Sequence, residues 1–180
     1  YKNFKDQTLV KSDGSFSSKK RNDLVHLLTF GVAKNLKNFT AALYNSVQYY
    51  DSNQNSYDAN RTQYNQNYYD FIQDNVTPSL TFNFGDVVRP FKGRLILWWD
   101  IAYRKYINRP SQDEEGNYKT SEISQMTNTT GLSLTIPVYK SVSVKTAANY
   151  RDATSNNRYE ANYRYNYNTS NYFVGMNWEY

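Results

Sequence analysis

Six charged residues fall where an extended chain would aim them to one side: Arg94, Asp100, Arg104, Lys145, Arg151 and Glu179. Around the first three, Leu95, Leu97, Trp99, Ile101 and Tyr103 occupy the alternate positions, so in a strand the charges and the apolar residues part to opposite faces. A charged face in a dry core would be costly unless every ion were paired. In a narrow cavity these six are expected to pair into a salt-bridge network that blocks conduction. In a wider cavity they would line water and bias it toward anions.

Other chemistry is sparse. His26 is the single histidine; no serine-centred motif and no partner carboxylate mark it as catalytic, and it reads as a strand histidine near an interface. Asp113-Glu114-Glu115 lacks the alternating ligand spacing of a calcium loop and reads as a solvated charge run. Cysteine is absent, which removes disulfides and thiolate metal sites. No catalytic residue, metal site or cofactor is therefore expected. The net charge of +5 is spread among acidic residues without a basic stripe, which argues against nucleic acid.

The elements that must carry these residues read as strands. No run of about 18 apolar residues exists, which excludes a transmembrane helix. The mean hydropathy of −0.86 is still compatible with strands that alternate apolar and polar residues. Residues 1–21 read as a polar loop with, at most, a weak first strand near Tyr1–Val10. Alternation then predicts strands within 22–34, 39–50, 69–84, 93–107, 121–136, 142–151 and 158–180, the last with a bulge at 168–171. Short turns fall at 35–38, 85–92 and 137–140, and long polar loops at 51–68, 108–120 and 152–157. Pro78 is expected at a bulge or strand start, because it cannot donate to a ladder.

The last stretch ends on an aromatic, with Tyr172, Val174, Met176, Trp178 and Tyr180 on one face. Phe173–Tyr180 resembles the C-terminal assembly signal of bacterial outer-membrane β-barrels. Gly175, Trp178 and Tyr180 match that pattern, while Phe173 stands where it prefers a polar residue and Tyr180 replaces the commoner terminal Phe. The resemblance implies an all-β fold: an antiparallel transmembrane β-barrel of at least seven to eight strands, or the C-terminal part of a wider barrel. Its strands would span 22–180, with the short turns inside and the long loops outside. The chain opens at Tyr1 rather than Met, and is read as a processed, trimmed or partial product.

The 19 tyrosines fit two aromatic girdles, with Phe39, Phe84 and Tyr139 at the inner ends and Tyr49, Tyr103, Tyr106 and Tyr150 at the outer ends. Such a barrel would sit in the bacterial outer membrane. Its partners would be membrane lipid and lipopolysaccharide, the barrel assembly machinery and a protein of a larger envelope complex. The expected function is non-enzymatic: a pore-like barrel or the membrane-embedded part of an export or envelope assembly. Three alternatives stand beside it: a small plugged barrel whose Tyr/Asn-rich outer loops bind a surface ligand or partner, a barrel enzyme using His26, and a soluble β-sandwich binding carbohydrate.

Overall fold

The computed structural model describes the chain except residues 59–60, 87–91, 140, 161–163 and 179–180. The described residues form an all-β protein with ten strands. They are β1 (Lys2–Val10), β2 (Phe16–Asn35), β3 (Phe39–Ser52), β4 (Ser56–Asp58), β5 (Gln63–Asn65), β6 (Phe71–Asn83), β7 (Arg94–Gln112), β8 (Tyr118–Tyr139), β9 (Val142–Ser155) and β10 (Tyr167–Trp178). Eight of them make one antiparallel sheet in the order β1-β2-β3-β6-β7-β8-β9-β10, and β4 and β5 form a separate small hairpin. Every sheet neighbour other than β3 and β6 is next in sequence, and that pair flanks the β4–β5 hairpin. β1 and β10 are the two edges, and no pairing joins them among the described residues.

Several boundaries differ from the alternation pattern, each for a local reason. Residues 1–21 are a hairpin rather than a loop, with a turn in which Gly14 (φ +82°) donates to Lys11 O at 3.0 Å. Its strands are polar on both faces, so no apolar alternation announced them. The guanidinium of Arg21 lies 4.5 Å over the Phe4 ring and ties the edge strand down. The loop at 108–120 contracts to residues 113–117, because β7 and β8 pair beyond a register shift between Lys105 and Pro110.

Pro78 sits in the interior of β6, paired with Leu43 and without a bulge. The β6–β7 ladder has a gap at Thr77 and Pro78, so the missing N–H interrupts nothing on that side, and the Thr77 hydroxyl donates to Asp100 Oδ1 at 2.6 Å. The expected bulge at 168–171 is absent, since β10 pairs with β9 in unbroken register from Tyr167 to Trp178. The change in tyrosine parity arises because Tyr159 and Tyr165 lie in the 156–166 connection. There the Glu160 carboxylate accepts the Tyr165 and Asn166 backbone N–H groups at 3.1 and 2.8 Å.

The register assigns every strand residue to a face. One row runs through Lys34, Ala41, Leu80, Leu97, Leu132, Ala148 and Tyr172; the adjacent row on the opposite face runs through Ala42, Ser79, Trp98, Gly131, Asn149 and Asn171. The polar face is the more enclosed one at the sheet centre. Thr129, Ser133 and Ala153 are buried there, whereas Trp99, Leu132 and Tyr150 on the apolar face stay about half exposed. The sheet therefore curls around its polar side. It opens toward the edges, where Leu27 and Phe173 on that same face are exposed.

Buried apolar side chains are few: Ile123, Ala153 and Tyr165 are the core hydrophobics among the described residues. Among the described residues nothing covers the apolar face of this one layer of sheet, in contrast to the usual two-layer solution.

Candidate functional site

The curled polar face carries the charges singled out by spacing. Arg94 and Lys145 share one row through Thr135, and Asp100 and Arg151 share another through Thr129; Arg104 follows on the same face of β7. Glu179 lies outside the described residues. The small residues Thr40, Ala42, Ser46, Ser79, Thr81, Gly131, Ser133, Ser143, Ala147 and Gly175 fall on this face too. Three of its glycines are covered by aromatic rings. A Cβ on Gly31 would stand 2.6 Å from Tyr44, one on Gly131 2.1 Å from Trp98 and one on Gly175 2.6 Å from Phe173. Each ring thus lies along the wall instead of projecting into the space it encloses.

The centre of this face holds a pocket of about 350 Å³ lined by Gln73, Asn75, Asp100, Arg104, Arg151 and Tyr167, among others. Arg104 Nε donates to Gln73 Oε1 at 2.7 Å, Gln73 passes a bond of 2.8 Å to Asn75, and Asn75 donates to Ser46 Oγ at 3.2 Å. The Arg104 guanidinium also lies 4.4 Å over the Phe71 ring. Arg151 Nε reaches Thr129 Oγ1 at 3.3 Å. The salt-bridge network expected for a narrow cavity is not formed among the described residues. Their ion pairs are Arg21–Asp23, Arg61–Asp58 and Lys105–Glu122, none of which includes Arg94, Asp100, Arg104, Lys145 or Arg151.

A second polar cluster closes the loop end of the sheet, and nothing in the sequence distinguished it from solvated loop residues. Asp23, only 2% exposed, accepts from Arg21 at 2.8 and 3.0 Å, from Ser52 Oγ at 2.6 Å and from the Tyr50 hydroxyl. The Ser52 N–H donates to Asp70 Oδ1 at 2.7 Å. Nearby, Arg109 lies 4.3 Å from both the Tyr68 and Tyr106 rings and donates to the Tyr165 hydroxyl at 2.6 Å, tying β7 to two outer connections. The Tyr118 hydroxyl donates to Asp58 Oδ2 at 2.6 Å; burial first, and then that carboxylate, push its pKa up to about 12.

Burial, only partly offset by the Ser52 N–H and aggravated by Asp51 and Asp23, raises the Asp70 pKa above its ordinary 3.8. Asp70 precedes β6 in the loop layer. Because the fold favours the protonated carboxyl, its contribution is fully present below about pH 4 and is lost as pH rises through the raised value. Asp70→Asn keeps the acceptor for the Ser52 N–H and removes the charge. Denaturation curves between pH 4 and 7 should therefore show the parent losing stability relative to the variant, and parallel curves would contradict this.

The aromatic residues assigned to two girdles divide by face. Tyr49, Tyr103 and Tyr150 are partly exposed on the apolar face toward the loop end, and Phe39 and Tyr139 lie at the turn end, where Phe39 packs on Phe82 at 5.8 Å. Phe84 belongs to the short 3-10 turn after β6. Tyr106 departs from the set. Three residues beyond Tyr103, it faces the polar side, edge-on to Phe71 at 6.0 Å. Of the three residues that carry the resemblance to an assembly signal, Gly175 faces the polar side, Trp178 is exposed on the apolar side and Tyr180 lies outside the described residues.

His26 lies on the apolar face of β2, its ring stacked on Tyr49 at 6.1 Å. No serine or carboxylate is hydrogen-bonded to it among the described residues. No group of three or more metal-binding side chains occurs among them either.

These features define an all-β protein whose eight-stranded antiparallel sheet is curled, polar and cationic on the enclosed face and apolar on the other. No family model, curated protein or solved structure matches the chain.

Proposed function

We propose that this sheet is the wall of a non-enzymatic, pore-like β-barrel in a bacterial outer membrane. The observation that carries this reading is the shape of the exposed apolar surface. On β2 the apolar run Leu24–Val32 is centred on Leu28, six residues loopward of Lys34. On β10 the run Tyr172–Trp178 is centred three residues turnward of Tyr172, the residue in the same row as Lys34. Over the six intervening strand steps the band thus slides by roughly 1.5 residues per strand. With about 3.3 Å per residue and about 4.8 Å between strands, this equals a tilt of roughly 45°. A flat hydrocarbon slab crossed by the tilted strands of a barrel imposes such an oblique band, since membrane barrels tilt their strands by about 35–45°. The core of a water-soluble sandwich imposes no such slant.

The charges on the apolar face follow the same band. Lys34, Asp51, Lys105 and Asp152 stand at its margins, and Lys105 is paired there with Glu122 at 3.5 Å. Inside the band Asp74 accepts from Asn45 at 2.6 Å, which lowers the cost of two polar groups facing lipid. The edge backbone groups of β1 and β10 would be satisfied by closure of the wall, and Gly175, Trp178 and Tyr180 would serve barrel assembly machinery as a recognition signal. Lipid and lipopolysaccharide would cover the apolar face.

A second reading, recognition of a surface ligand by the outer loops, is favoured by a polar cleft of about 440 Å³ between the β4–β5 hairpin and the β7–β8 extension, lined by Arg61, Gln63, Asn65, Asn108 and Glu122.

The test is refolding of the full chain into phosphatidylcholine vesicles. Insertion should yield a protease-resistant band that migrates faster unheated than boiled. A chain that stays soluble and monomeric without lipid, with its apolar face open to water, would refute the membrane reading.

A further inference from the structure

We propose that the polar face carries an oxyanion site between Arg104 and Arg151, and that it makes the space enclosed by this wall select anions over cations. This rests on the barrel wall proposed above and adds a ligand class to it. Arg104 spends its Nε on Gln73 and has only a long 3.5 Å contact from Nη1 to Tyr106; Arg151 spends its Nε on Thr129. Beyond that long contact, Arg104 Nη2 and both outer nitrogens of Arg151 have no acceptor in the protein among the described residues. Asp100, the one carboxylate lining this pocket, accepts from Thr77 and forms no ion pair with either arginine. Two guanidiniums and the amides of Gln73, Asn75 and Gln125 therefore converge on about 350 Å³ with an excess of positive charge. Guanidinium forks match the paired oxygens of phosphate and carboxylate.

A second tier strengthens the inference. Arg94 and Lys145 share a row two strands apart at the turn end of the same face, both exposed, with no described acid paired to them. An anion entering from either end meets a pair of cations at more than one depth, so no single site has to hold it tightly. Conduction requires that combination of attraction and release.

The full chain would be inserted in planar bilayers across a potassium chloride gradient. The reversal potential should show chloride preference, and Arg104→Gln/Arg151→Gln should lower the chloride-to-potassium permeability ratio by about threefold or more. Inorganic phosphate should reduce the chloride current of the parent and leave that of the double variant unchanged. A conducting parent that is unselective or prefers potassium, or a double variant indistinguishable from it, overturns the anion site.

Inserted protein with no conductance would instead reject the pore, and the site would then be judged by fluorescence. Trp98 lies on the polar face, two residues along β7 from the pocket residue Asp100, whereas Trp99 and Trp178 lie on the apolar face. In a Trp99→Phe/Trp178→Phe background, with each quenching constant divided by that of free N-acetyltryptophanamide, iodide should quench Trp98 about twofold more than caesium does, and the arginine substitutions should erase the difference. Equal normalised quenching by the two ions in the unsubstituted pocket overturns the proposal.

Discussion

Leu97→Arg should destabilise the protein folded in vesicles by about 2–4 kcal/mol, the cost of a cation near the middle of the apolar band where that band faces hydrocarbon as proposed. Leu97 is exposed and its neighbours in the row are Leu80 and Leu132, so no acid is at hand to pair with the new charge. Denaturant titration of the protein in vesicles measures the effect. The control is Asn171→Arg, on the exposed polar side of β10, where the change should stay within about 0.5 kcal/mol. In water an arginine on an exposed strand face is nearly free. A cost at position 97 no larger than at 171 would therefore place the apolar face against solvent and remove the membrane from the account. The chain's own charges follow the same rule, with Lys34 and Lys105 at opposite margins of the band.

Gly131→Val should cost about 3 kcal/mol, or prevent folding, for a different reason. The first added carbon would stand 2.1 Å from Cζ2 of Trp98, and the indole cannot move toward the sheet. Leaving the wall, the ring would have to enter the enclosed space. The double variant Gly131→Val/Trp98→Ala removes the collision, and its stability should exceed the sum of the two single effects by at least about 1 kcal/mol. Additive single effects would show that the indole does not rest on Gly131. The glycine thus keeps a large side chain flat against the polar face, which in the proposed pore would leave water and ions the space beside Arg104 and Arg151.

Much of the fold was legible because the side-chain period of a strand is two and the sheet is a near-continuous meander. Once Leu95, Leu97 and Trp99 are set to one side, Arg94, Asp100 and Arg104 must lie on the other, whatever the tertiary arrangement. Illegible parts shared a single cause, the absence of alternation. β1 and the start of β2 are polar on both faces, the extension of β7 beyond Lys105 runs through a register shift, and Tyr159 and Tyr165 mimic a strand whose described residues begin at Tyr167. Tyr106 falls near the outer end in sequence like the other girdle tyrosines, but its odd spacing of three from Tyr103 turns it to the polar face.

The site divides in the same way. Residue types and spacing alone put Arg94, Arg104, Lys145 and Arg151 together on one face. They could not decide whether Asp100 would neutralise those cations, because pairing depends on which strands lie side by side and in what register. The fold sets Asp100 within reach of Thr77 across the gap left by Pro78, and two arginines are left facing open space. Likewise the burial of Asp23 and Asp70 exists only where separate loop ends converge. The sequence by itself determined the two faces of every well-alternating strand, because each residue's direction follows from its neighbours. Only the tertiary structure decided which face is enclosed, how the apolar band slants and which charges stay unpaired, because those depend on register and curvature that link residues far apart in the chain.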